Sequence, residues 1–115
     1  MKTLQELQDD GIDVDGAMER FMDNEEMFRH FLRQLPEEEA YYSMLEALKE
    51  KNAEAAFDWA HRLKGIIANL ALSRLYEELC GIVELLRDRK LPDAGIQQHF
   101  TKLYEDTMEY ICKEV

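Results

Sequence analysis

The sequence predicts an all-α domain, and three observations predict it. Apolar residues recur at spacings of three and four, and no stretch alternates with the period of two that marks a strand. Two prolines and five glycines in 115 residues leave long stretches free to be helical. Residues that cap helix N-termini stand ahead of several of the apolar runs. The expected architecture is an antiparallel up-down four-helix bundle over about residues 37–114, with additional N-terminal helices within about 1–35. The whole chain, 1–115, is expected to form one domain.

The elements follow in order. After a short N-terminal arm, Val14, Ala17, Phe21 and Met22 suggest a first helix. Asp23 is placed to cap the next, with Glu26 three residues on as in a capping box. Met27, Phe28, Phe31, Leu32 and Leu35 give that helix one apolar side, and Pro36 stops it. The acidic run Glu37-Glu38-Glu39 suits a first helical turn, where the macrodipole favours negative charge. Tyr41, Met44, Leu45 and Leu48 then form a stripe up to about Lys51. Asn52 caps a helix of roughly 53–70. Ser73 caps another, carrying Leu75, Leu79, Ile82 and Leu86, which ends at the turn Leu91-Pro92-Asp93. Asp93 caps the last, marked by Ile96, Phe100, Leu103, Thr107, Tyr110 and Ile111. Short connections after about residue 36 make consecutive helices antiparallel.

Bulk properties narrow the function classes. Fourteen basic against 25 acidic side chains give a net charge of -11. Such a surface repels nucleic acid and anionic lipid, so neither is expected as a partner. Cys80 and Cys112 form no short metal or redox pair, and both fall within apolar helical patterns, so buried thiols are expected. The N-terminus has no signal-peptide core, and no apolar run approaches the roughly 20 residues that span a bilayer. A cytoplasmic monomer is expected, and the initiating methionine with a full-length bundle favours a chain that stands alone.

One helix carries candidate chemistry. At about 100° per residue, Ala56, Trp59, Ala60, Leu63, Ile67 and Leu70 cluster on the core face of the 53–70 helix. His61 falls nearly opposite and points to solvent. An exposed imidazole is free to act as a nucleophile. Lys64, one turn on, puts an ammonium where an anion on His61 would sit. Gly65 lies mid-helix on the same exposed side, where glycine costs about 1 kcal/mol relative to alanine. It contributes nothing to folding there, but it lets another molecule approach the backbone beside the histidine. Ala68 keeps the strip low for a further turn. Each residue alone would read as ordinary surface; the constellation is what separates them from it.

Ala60-His61-Arg62-Leu63-Lys64-Gly65 resembles the A-H-x-L-K-G motif of histidine phosphotransfer (HPt) domains, and the likeness continues through Ala68-Asn69-Leu70, Leu75 and Leu79. The resemblance implies a phosphorelay intermediate. His61 would accept a phosphoryl group from the aspartate of one receiver domain and pass it to another. Lys64 would neutralise the phosphoryl charge, and Gly65 would give the receiver room to dock. Phe57, Asp58, Arg62 and Ala68 border the patch and would meet the partner. The implied partners are response-regulator receiver domains and a hybrid sensor histidine kinase. No cofactor is implied for this chain, since the receiver brings the Mg²⁺, and no ATP site is implied. The chain departs from the family pattern at Ala71, where many members have glycine, and at Ile66 and Ile67, where small polar residues often stand. Val83 replaces a glutamine or glutamate that commonly contacts the histidine, which leaves Asp58 to orient the ring.

Two readings come from different classes: a phosphotransfer protein, and a helical module that docks receiver or kinase domains without transfer. A metal site is not expected, because the only Glu-x-x-His-like spacing, Asp58 to His61, faces outward. His30 and His99 read as surface residues. Met18, Met22 and Phe57 are candidates for an apolar docking rim.

Overall fold

Helix ends set the architecture. The computed structural model describes residues 1–115 and contains helices and turns without a strand. Helix α1 spans Leu4–Asp9, α2 Val14–Arg20, α3 Glu25–Gln34, α4 Glu39–Lys49, α5 Ala53–Asn69, α6 Ser73–Arg87 and α7 Ala94–Glu114, with a 3-10 turn at Leu35–Glu37 before α4.

Five helices end in the same way. In each, the third residue past the end donates its N–H to a carbonyl five residues back, as in Ile12 to Leu7, Asp23 to Met18, Asn52 to Ala47, Leu72 to Ile67 and Lys90 to Leu85. This closure needs a residue in the left-handed region. Gly11 supplies it once, but Met22, Lys51, Ala71 and Arg89 supply the others, with φ between 54° and 59°. These turns hand the chain almost directly to the next N-cap. Asn52 accepts from Ala55 N–H, Asn24 from Met27 N–H and Asp13 from Gly16 N–H.

The all-helical expectation holds. Helix α5 lies between α4 and α6, α6 packs on α7, and α7 meets α3. The rings of Tyr41 on α4 and Tyr104 on α7 stack at 3.7 Å, bringing the last long helix back against the first. One continuous apolar cluster joins Leu7, Val14, Ala17, Phe28 and Leu32 of the N-terminal helices to Met44, Leu63, Ile67, Leu79 and Phe100. No helix is long and apolar enough to cross a membrane.

Several details differ from expectation. The N-terminal arm is helical: Thr3 and Glu6 form a capping box that starts α1. Asn24, not Asp23, caps α3, because Asp23 is still inside the left-handed turn at φ 61°. Pro36 does not end a helix outright; α3 ends at Gln34 and tightens into the 3-10 turn. Glu38 caps α4, so the acidic run straddles the turn rather than filling one helix start. Ser73 is the first residue of α6 and caps nothing. Met27 and Phe31 are exposed, since Phe28, Leu32 and Leu35 take the inward side of α3. Neither cysteine is buried: Cys80 is half-exposed, and Cys112 is exposed because Ile111 takes the inward place.

Candidate functional site

Helix α5 is held on both flanks, which fixes which of its residues meet solvent. Ala56, Ala60, Leu63 and Ile67 are fully buried and Leu70 is nearly so, while Trp59 is half-buried at the edge of this face. The small side chains of Ala56 and Ala60 let the neighbouring helices approach closely. The opposite side carries Asp58, His61 and Gly65, all exposed, with Phe57, Lys64 and Ala68 half-buried beside them.

The imidazole of His61 is the centre of this strip and makes no hydrogen bond. Its ring lies near-parallel to that of Phe57, one turn earlier, with 5.7 Å between centroids and 27° between planes. The guanidinium carbon of Arg87, from the last turn of α6, stands 5.1 Å from the Phe57 centroid. Asp58 makes no hydrogen bond to His61, so the orienting role expected for it is not seen. Its side chain stays in solvent while the ring leans toward Phe57. Val83 is fully buried in the core and offers the ring no polar atom.

The cations around His61 differ in their engagements. Lys64 makes no ion pair, which leaves an ammonium unpartnered one turn from the imidazole. Arg62 is turned to the α4 side, 3.9 Å from Glu38 and over the Trp59 ring at 5.6 Å. An exposed pair at that separation is weak. Gly65 has no atom within 4 Å of where a Cβ would stand. The glycine therefore fills no internal packing need. Gly81, mid-helix on α6, is equally open.

The sequence-predicted residues thus gather on one face, with Arg62 at its margin. Sequence reasoning missed Arg87 and Glu38. Both reach the strip from neighbouring helices, and no local spacing announces a contact between residues so far apart in the chain. Of the other histidines, His99 Nδ1 is 2.9 Å from Glu78 Oε2 and His30 Nε2 is 3.2 Å from the Gln34 amide. No three His, Cys, Asp or Glu side chains come together in a way that could hold a metal ion.

Chemically, the strip offers a nucleophilic ring, a free cation for a developing anion, and bare backbone where a second molecule can come close. Comparison of the chain with protein-family models, curated proteins and solved structures gives no match.

Proposed function

We propose that this chain is a phosphorelay intermediate that carries a phosphoryl group on His61. One observation carries the reading: an imidazole free of hydrogen bonds shares an exposed strip with an unpaired ammonium, Lys64, and a glycine, Gly65, whose missing side chain nothing in the fold requires. The A-H-x-L-K-G resemblance supplies the reaction class. Neighbour relations among α4, α5, α6 and α7, with their tight connections, support reading these four as an antiparallel up-down bundle.

In this reading a receiver's aspartyl phosphate approaches along Gly65. The unprotonated ring nitrogen of His61 attacks phosphorus in line. An N–P bond forms as the bond between phosphorus and the carboxylate oxygen breaks, and the carboxylate leaves with the bonding pair. Attack needs the reacting atoms about 3–3.5 Å apart, which brings the partner's backbone close to α5. Lys64 then offsets the new charge through a charge-assisted hydrogen bond. Transfer onward is the reverse reaction on a second receiver. The protein would act in the cytoplasm as a monomer.

The second reading is a docking module without transfer, favoured by the lack of any polar group holding the ring. Incubation with phosphoramidate or a phosphorylated receiver separates the two. An acid-labile adduct on His61 is expected in the wild type and absent in His61→Gln, whose stability should change by no more than about 0.5 kcal/mol. Lys64→Ala should shorten the lifetime of the adduct. Labelling of His30 or His99 instead, or no labelling at all, would remove the proposal.

A further inference from the structure

Three of the seven exposed large apolar side chains share one groove. Met22 is 88% exposed, Met27 46% and Phe31 44%. With Phe21, Ile66 and Leu70 they line a groove of about 760 Å³. It runs between the turn after α2, the outer edge of α3 and the C-terminal half of α5. Single apolar residues on a surface are ordinary, but a contiguous set marks a contact site.

The rim is formed by the left-handed closure of α2 described above. Met22 and Asp23 are consecutive non-glycine residues in the left-handed region, at φ 54° and 61°. That conformation is disfavoured for any residue with a Cβ. Here it projects the Met22 side chain into solvent at the rim of the groove. Methionine and phenylalanine also suit a variable helical partner, because the thioether chain repacks around different shapes.

Charge identifies the partner. Seven carboxylates but only three arginines lie between Glu19 and Glu39. Two of those arginines are committed inside the fold: Arg29 to Glu25 and the Lys2 carbonyl, Arg33 to the Val115 carbonyl. Arg20 and Glu38 are the charged residues that line the groove. Asp23, Glu26, Glu37 and Glu39, each next in the chain to a lining residue, remain exposed and make no ion pair, while Glu25 is taken by Arg29. We infer that the groove docks an amphipathic helix of a partner protein, with large aliphatic or aromatic residues on one face and lysines or arginines beside them. This is the helix-in-groove mode of recognition. The groove uses Ile66 and Leu70 on the α4 flank of α5, whereas His61, Lys64 and Ala68 lie toward α6. Binding here requires no phosphoryl chemistry and stands or falls apart from it.

The test uses the full chain at physiological ionic strength and three designed peptides. One is an amphipathic helix of leucine and lysine, the second has the same composition in scrambled order, and the third replaces lysine by glutamate. The leucine-lysine helix should bind and shift the methyl resonances of Met22 and Met27. Met22→Gln and Phe31→Gln should each weaken it by about tenfold. Phe31 touches Phe21, so its variant is checked for folding by its melt; Met22 is exposed enough that its variant needs no such allowance. Equal binding of the scrambled or glutamate peptide, or unchanged affinity in both variants, would overturn the inference. So would a wild-type dimer in sedimentation that Phe31→Gln converts to monomer, since a second copy would then be the occupant.

Discussion

The ring of His61 rests against Phe57 at 5.7 Å, and Arg87 covers Phe57 at 5.1 Å, so an aromatic contact orients a ring that no hydrogen bond holds. Phe57→Ala should free that ring. The His61 ring protons should lose the ring-current shift that a neighbouring phenyl imposes. Transfer from a receiver should slow several-fold, because a misaligned nitrogen attacks poorly. Labelling by small phosphoramidate should be spared, since that donor can follow the ring. Phe57→Tyr should restore both signals. The half-buried phenyl also contributes to folding, so about 1–2 kcal/mol of stability should be lost. Unchanged His61 proton shifts in Phe57→Ala would show that the stack does not position the ring.

The two open mid-helix glycines make a matched pair. Nothing stands within 4 Å of a Cβ built at Gly65 or at Gly81. Gly65→Gln and Gly81→Gln should both stabilise the free protein, by up to about 1 kcal/mol. Only the Gly65 variant should lose receiver binding. Thermal melts and a binding titration of both variants check this. Equal loss at both positions would mean that the docking face lies elsewhere.

Lys51 and Arg89 close α4 and α6 at φ 59°, and both are exposed. A left-handed residue with a Cβ costs roughly 1–2 kcal/mol, and glycine's greater freedom in the unfolded chain returns part of that. Lys51→Gly and Arg89→Gly should each raise stability by about 0.5–1 kcal/mol in denaturant unfolding. Ala71→Gly should gain less, because the Ala71 methyl is buried. Destabilisation at Lys51 or Arg89 would mean that their side chains support the turn.

Asp10 ties the N-terminal segment to α7. Its carboxylate takes hydrogen bonds from Lys2 Nζ and the Tyr110 hydroxyl, each at 2.6 Å. The Lys2 bond first, and the Tyr110 bond second, hold its carboxyl below the usual range. A depressed carboxylate contributes stability above its unfolded value of about 3.9 and loses it as pH falls through the lower folded value. The gap in stability between the wild type and Asp10→Asn should therefore be widest near neutrality and close below about pH 4. A gap that stays constant through this range would exclude the ionised pair as its source.

Much of the fold was legible because apolar spacing and N-caps are local. Asn52 and Asp93 cap as the sequence predicts, and Ala56, Ala60, Leu63 and Ile67 take the core face. The helix C-termini were harder to read. Four of the five left-handed closures use residues other than glycine, so the usual stop signal is missing at Met22, Lys51, Ala71 and Arg89. Helix α1 escaped notice because six residues show barely two turns of periodicity. The strip around His61 was readable, since its members share one helix. The Phe57–Arg87 and Arg62–Glu38 contacts join different helices, and only tertiary packing brings them together.

The strip bearing His61 is a single helix wide, flanked by α4 and α6. Under the proposed function, in which this strip would carry a group between two partners, its width has a kinetic consequence. Donor and acceptor need the same few square nanometres, so they exclude one another and no three-body complex can form. The cargo must wait on the carrier between two separate encounters. Flux then follows a shuttle's law, with exchange in turn and a rate limited by departure as much as by chemistry. An excess of unloaded acceptor would block the seat that the donor needs and slow the pathway it serves.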